Sequence, residues 1–458
     1  MDGDRRQNRR AYLKALGVAG LVGLAGCSSE GSGGTTTENG TTATETTATP
    51  TAGTTTGNGT AGNESAGNES AGEEGSDTPQ PSGDAPGSYE PMIPKAAGFE
   101  DVSAWEPDNN VTMKADTETV YGGEQSFRVQ GGPGTIRRDF PVPLDLSNRD
   151  LSIAIRLEEP RPTNVRIWMQ DTGGKTIKLI QQISQNHPSG WLRINPSIND
   201  AYQRNLGGIE SMLITVDGRG STAPTYNVDE LLFHDKMAKK GQVMLTFDDI
   251  TPSLYNEIFP IMQEFDLQGV AAVPVDLLGD SGRLSEAQLQ ELSDAGWEIA
   301  SHSNDLQNLY GMDRATQRKK IEYTKQQLQE MGFGDVRAFM YPGGACDRNT
   351  FELVTEYHDY GFLAFRGSEK GLSQSTLFEP AFVNRSRPNT PAAVKNQLDE
   401  VAAYRGLYTP FLHGVDGGDQ FVNTPSEFRK MCKHVANYRD QGKVEVVKPG
   451  DLSLPTSN

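Results

Sequence analysis

The sequence predicts a multidomain chain: a disordered N-terminal tether, then an antiparallel β-sandwich, then a parallel β/α domain. Three observations carry this. Ser28 to about Ser88 is built almost wholly from Thr, Gly, Ser, Glu, Asn, Ala and Pro. Between about Glu90 and Asp235, apolar residues recur with period two in short runs split by Gly, Pro and Asn, as in half-buried strands joined by turns. From Gly241 onward, short apolar runs alternate with helical stretches, the pattern of a parallel sheet, open or closed.

The overall balance narrows the partners. Among 458 residues, 61 acids face 42 Lys and Arg, a formal net charge of −19. That excess argues against nucleic acid and anionic membrane surfaces. Hydrophobic residues make up 35%, a low share that fits a chain part of which packs no core. Cys occurs only at 27, 346 and 432. Three are too few for a disulfide framework or a Cys-based zinc site. Whether Cys346 and Cys432 pair or remain buried thiols stays open.

Residues 1–27 read as an export signal. Arg9-Arg10-Ala-Tyr12-Leu13-Lys14 precedes the apolar run Ala15 to Gly26, which is too short to span a membrane. The twin Arg with the aromatic, Leu and Lys resembles a twin-arginine signal. Leu24-Ala25-Gly26-Cys27 resembles a lipobox, which implies lipidation of Cys27. The expected location is the outer face of the cytoplasmic membrane, with contact to the membrane by the lipid anchor only. Residues 28–89 cannot bury enough apolar surface to offset the entropy of ordering. They repeat Ala-Gly-Asn-Glu-Ser at 61–65 and 66–70, and Asn39, Asn58, Asn63 and Asn68 begin glycosylation sequons.

The sandwich is expected over 90–238. Leu151, Ile153, Ile155 and Leu157 alternate with polar or small residues, as do Val165, Ile167 and Met169, and Met212, Ile214 and Val216. His187 and His234 stand alone, as loop or surface residues rather than ligands. Phe99-Glu100-Asp101, Trp105, Tyr121, Ser126 to Val129, Gly190-Trp191 and Val228 to Phe233 resemble a galactose-binding-like jelly roll. That resemblance implies a carbohydrate-binding or spacer module, with Glu100 and Asp229 sharing a structural calcium. Trp105, Trp168 and Trp191 are either sugar-stacking residues or core.

The last domain is expected over 239–458. Its strands read as Gln242–Phe247, Val270–Val275, Glu298–Ser301, Ala338–Tyr341, Phe362–Phe365, Leu407–Leu412 and Val444–Val447. Ser285 with Gln288, and Thr424-Pro-Ser-Glu427, form capping boxes at helix starts. Polar residues gather at strand ends: Asp248-Asp249, Ser301-His302-Ser303, Tyr341-Pro-Gly-Gly344 and His413-Gly414. In α/β folds that end hosts the site. Neighbouring strand residues point to opposite faces, so Asp248 and Asp249 share a site only if the strand stops there.

These motifs, in this order, resemble the NodB-homology polysaccharide deacetylases, carbohydrate esterase family 4, over about 241–452. The resemblance implies a distorted (β/α) barrel that hydrolyses N-acetyl or O-acetyl groups on an acetylated polysaccharide or cell-surface glycan. It implies a divalent metal, zinc or similar, held by Asp249 and His302, with Asp248 as base and His413 as acid. It places an oxyanion-binding N–H at Gly343. Two departures stand out. The family's second motif carries another His four residues after the first, where this chain has Leu306, and Asp305 is the nearest substitute. Met340 stands where the family's third motif carries Arg, and Arg385 or Arg387 is the later candidate for that role. Two protein ligands hold a divalent ion weakly. The expectations are therefore a metal-dependent deacetylase or a catalytically degenerate, carbohydrate-binding surface lipoprotein.

Overall fold

The computed structural model describes residues 98–158, 163–198, 205–218, 223–364, 372–417 and 422–454. The signal, Cys27 and the tether lie outside these residues. Among the described residues, no helix is long and apolar enough to cross a membrane.

The period-two runs form two antiparallel sheets. One, of six strands, runs in the order Glu106–Pro107, Thr135–Leu144, Ile209–Gly218, Thr163–Asp171, Thr176–Ile183 and Ser197–Ile198. The other, of five, runs Thr112–Asp116, Ser126–Gln130, Thr225–Asp235, Arg149–Leu157 and Gly190–Ile194. The alternation decides which side faces in. Leu151, Ile153 and Ile155 from one sheet, and Val165, Ile167, Met212 and Ile214 from the other, are all buried. Burying each such side chain contributes about 1.5–3 kcal/mol.

The β/α domain is a curled, split and mostly parallel sheet with flanking helices; Leu372–Ser373 alone pairs antiparallel among its described strands. Six parallel strands run in the order Tyr360–Phe362, Ala338–Met340, Glu298–Ser301, Val270–Val273, Thr246–Phe247 and Phe411–Leu412. A second sheet orders Leu372–Ser373, Leu407–Tyr408, Gly241–Val243 and Val444–Val446. Two expected strands are each broken in the middle. Gly241 to Phe247 and Leu407 to Leu412 give their first halves to one sheet and their second halves to the other. Pro410 lacks an N–H for the ladder, yet Met244 N–H still donates to Tyr408 O (2.9 Å) and Thr246 N–H to Pro410 O (3.1 Å). The pair stays zipped while the sheet changes direction. Ser285 forms the expected capping box with Gln288; at Thr424 only half of the expected box forms, since the Thr424 side chain accepts from Glu427 N–H but Glu427 Oε2 accepts from Asn423 N–H (3.4 Å).

Sandwich and barrel share one hydrophobic cluster, which runs from Ile153 and Ile167 to Leu309, Phe339, Tyr341, Phe351 and Phe382. Beside it lies a buried ion pair between Asp150 of the sandwich and Lys236 of the connecting segment. Barrel residues satisfy the rest of that carboxylate: Ser375 Oγ at 2.8 Å, Thr376 N–H at 3.1 Å and Thr376 Oγ1 at 2.9 Å. A buried pair is tolerable only with such extra hydrogen bonds.

One expectation changes and others sharpen. His187 is no surface residue; it is 2% exposed, because the barrel packs on its loop. Glu100 and Asp229, the residues expected to share a calcium, both lie against backbone amides. The Asp229 carboxylate accepts the N–H groups of Tyr121, Gly122 and Glu230, and that of Glu100 accepts Glu124 N–H. No metal-ligating cluster of three or more His, Cys, Asp or Glu occurs among the described residues. Trp105 is core, stacked on Phe99 at 5.0 Å, whereas Trp168 and Trp191 are only half-buried. Cys346 and Cys432 are both buried free thiols.

Candidate functional site

The strand that opens the barrel stops at Phe247. Asp248 N–H still reaches Leu412 O at 2.8 Å, and then the backbone turns left-handed at Asp249 (φ 70°) and Ile250 (φ 46°). That conformation costs a non-glycine residue about 1–2 kcal/mol. Surrounding bonds hold it: Arg283 Nη1 donates to Asp249 O (3.0 Å), Leu284 N–H to Ile250 O (3.0 Å) and Thr251 Oγ1–H to His413 O (2.6 Å). The early stop lets both carboxylates meet the same pair of imidazoles.

Asp248 is buried against Arg385, itself 0% exposed. Arg385 donates from Nη1 to Oδ1 at 2.7 Å and from Nη2 to Oδ2 at 3.1 Å. Its remaining donors reach Leu363 O (3.0 Å) and Thr246 Oγ1 (3.1 Å), and its guanidinium lies 4.9 Å from the Phe411 ring centre. Burial pushes the Asp248 carboxyl up, but Arg385, with His302 and His413, brings it down to about 2. The carboxylate is therefore ionised at any ordinary pH.

His302 is buried, and its Nδ1 lies 2.8 Å from Met340 O. A carbonyl only accepts, so Nδ1 carries a proton and Nε2 faces Asp249 Oδ1 at 3.3 Å. Burial lowers the pKa of this imidazole, but Asp248 and Asp249 outweigh it and leave the group above its usual value. His413 behaves oppositely. Arg387 Nη2 lies 2.6 Å from His413 Nδ1. Arginine only donates, so Nδ1 accepts and the proton sits on Nε2, 3.9 Å from Asp249 Oδ2. Burial, with Arg387 alongside, holds the His413 pKa below its usual value despite the two carboxylates. Arg385 and Arg387, left as alternatives in the sequence, thus divide the work: one meets Asp248 and the other meets His413.

The donor set for a divalent ion is short. Leu306 is half-buried with a left-handed backbone (φ 64°) and offers no lone pair. Asp305 does not replace the missing ligand: Lys320 Nζ holds its Oδ2 at 2.8 Å, and its Oδ1 accepts Gln307 N–H at 3.3 Å. Of the expected ligands, Asp249 and His302 alone face each other. These residues do not complete a metal site.

Gly343 lies on the single turn Pro342–Gly344 after the strand Ala338–Met340, exposed at φ 66°. Gly344 follows at φ 71°, so close to its neighbours that a Cβ there would lie 2.2 Å from Ala364 O. Tyr341 anchors the turn through its hydroxyl, which donates to Ala381 O at 3.0 Å.

Residues 235–362 match the polysaccharide deacetylase family. The matched segment holds Asp248, Asp249, His302 and Gly343, while Arg385, Arg387 and His413 lie beyond it. This deacetylase-type domain is 21% identical over 213 residues to YxkH of Bacillus subtilis (strain 168), which is named for polysaccharide deacetylation; the match covers 46% of this chain and 68% of that one. It is 26% identical over 103 residues to the poly-beta-1,6-N-acetyl-D-glucosamine N-deacetylase of Staphylococcus aureus (strain N315), covering 21% of this chain and 36% of the relative. Among solved structures, the Streptomyces lividans family 4 carbohydrate esterase in complex with acetate aligns at 15% identity and a TM-score of 0.31, covering 48% of this chain and 100% of that one. The Streptococcus pyogenes deacetylase PplD, also with acetate, aligns at 22% and 0.29, covering 31% and 63%.

Proposed function

We propose that the deacetylase-type domain binds an acetylated polysaccharide or cell-surface glycan at its strand-end face without the family's metal chemistry. The observation that carries this is the pair Leu306 and Asp305: one has no lone pair to give, and Lys320 already holds the other. The polar groups that remain suit recognition. His413 keeps an Nε2–H to donate, and Gly343 exposes backbone at an open turn. Asp248 is locked by Arg385 and has little affinity for a proton, a poor match for a general base, which works best with a pKa near the working pH. Transport by the twin-arginine route and a lipid on Cys27 would place this binding function at the cell surface. We propose both on the sequence alone.

One observation favours hydrolysis of N-acetyl or O-acetyl groups as a second reading. The Asp249 carboxylate faces both imidazoles, His302 Nε2 at 3.3 Å and His413 Nε2 at 3.9 Å. Calorimetry with tri-N-acetylchitotriose, metal analysis of the purified protein and an acetate-release assay separate the two readings. Binding without stoichiometric metal or acetate release is the expected result, and Leu306→His is expected to tighten zinc binding at least about tenfold by supplying a third ligand. Stoichiometric metal together with acetate release from the unaltered protein overturns the binding-only reading.

A further inference from the structure

The loop 184–189 of the sandwich, which joins the strands Thr176–Ile183 and Gly190–Ile194, reaches across to the barrel. Ser184 N–H donates to His187 Nδ1 at 3.1 Å. The ring proton therefore sits on Nε2, and the imidazole is hydrogen-bonded to the backbone of Gly344. The ring also meets Phe382 edge-on at 5.0 Å. Around it the loop and the start of the strand that follows offer a series of backbone carbonyls. Asn186 O accepts Cys346 N–H at 2.8 Å. Ser189 O accepts Arg348 Nε–H at 3.0 Å, and Trp191 O accepts Arg348 Nη2–H at 2.7 Å. Gln185 O accepts the Tyr310 hydroxyl at 3.3 Å. The gripped residues lie on two barrel loops and on Arg348, which opens the helix Arg348–Tyr357 after the second loop. One loop runs on from His302 through Leu306 to Tyr310, and the other is the turn that carries Gly343 and Gly344.

Two successive left-handed glycines are easy to form and easy to lose, because glycine gives up more conformational freedom on ordering than any other residue. Outside contacts must hold such a turn in one geometry. Tyr341 holds its start from within the barrel. Its end is held from the sandwich, by His187 on Gly344 and Asn186 on Cys346.

We infer that the sandwich is a working part of the barrel's site, and that His187 is a positioning residue which sets the geometry of the Gly343–Gly344 turn for an acetylated glycan. The identity of the ligand rests on the function proposed above; the positioning of the turn does not. Burial holds the His187 pKa down to about 3, so the contact persists over the ordinary pH range.

The test uses the full chain with His187→Ala and His187→Gln, since the Gln side chain keeps an N–H donor. Amide hydrogen exchange at 343–346 is read beside tri-N-acetylchitotriose affinity, with the sandwich strand Thr163–Asp171 as internal reference. Loss of one hydrogen bond corresponds to roughly a threefold to tenfold change. The expected result is exchange faster by that factor in the turn but not in the reference strand for His187→Ala, affinity weaker by a similar factor, and recovery of both in His187→Gln. Unchanged exchange in the turn overturns the inference, as does acceleration spread evenly over both regions, or faster exchange with unaltered affinity. If the unaltered protein binds no oligosaccharide, the proposed function fails, and the exchange data alone decide the positioning.

Discussion

Replacing Arg385 with Met tests the centre of the site most directly. The guanidinium is wholly buried and makes two hydrogen bonds to Asp248, at 2.7 and 3.1 Å. Met fills similar volume but leaves a carboxylate with 3% exposure and without its hydrogen-bonded counter-charge. Removing one partner of a buried pair costs about 3–5 kcal/mol. For a chain of this size that lowers the thermal midpoint on the order of 10 °C, measured by calorimetry or circular dichroism at neutral pH. The pH dependence has a definite sign. The folded-state pKa of Asp248 is depressed to about 2, so the pair's contribution is complete above the unfolded carboxyl value and is lost as pH falls through about 2. Without Arg385, burial raises that pKa, Asp248 protonates sooner, and the gap between the two proteins narrows in acid. Arg385→Met with Asp248→Asn regains part of the loss, because no unpaired charge stays buried. Equal midpoints at neutral pH, or purely additive effects in the double variant, would refute the reasoning.

Arg387→Met removes the cation beside His413 Nδ1 while Asp248 and Asp249 remain. The His413 pKa should rise from its depressed value, and a nuclear magnetic resonance titration that shows no rise counts against the assigned tautomer. The unaltered fold should lose stability as pH drops below the ordinary imidazole range, and the variant should lose less. Gly343→Ala and Gly344→Ala form a paired test. At Gly343 the nearest atom to a new Cβ is 3.9 Å away, so only the left-handed backbone costs energy, about 1 kcal/mol. At Gly344 the Cβ meets Ala364 O at 2.2 Å, so the loss should exceed about 2 kcal/mol. Equal denaturation midpoints for the two variants would contradict that contrast.

The two layers of the molecule were legible because periodicity is local. Leu151, Ile153 and Ile155 announce an inward face within one strand, and Thr246-Phe-Asp-Asp249 announces a strand that ends in acid. The breaks at Met244 and Pro410 were not legible, since they arise where two sheets diverge, a feature of the whole barrel. The strand Leu372–Ser373 escaped for a similar reason: two residues carry no period. At the site, the sequence narrowed the missing cation to Arg385 or Arg387, but only packing assigns each to its own partner. The capture of Asp305 by Lys320 depends on a helix that returns alongside the loop. His187 gave no signal at all, because one isolated histidine looks the same whether it meets solvent or another domain.

The shared cluster from Ile153 to Phe382 has a temporal meaning. During synthesis the sandwich strands are complete at Asp235, but the apolar residues that finish their cover, from Leu309 to Phe382, have yet to be made. At roughly 5–20 residues per second, the sandwich waits on the order of ten seconds with part of its greasy flank unclosed. Its two sheets are therefore a seed rather than a finished domain, and a chain truncated after Asp235 should be far more prone to aggregate than its regular strand pattern implies.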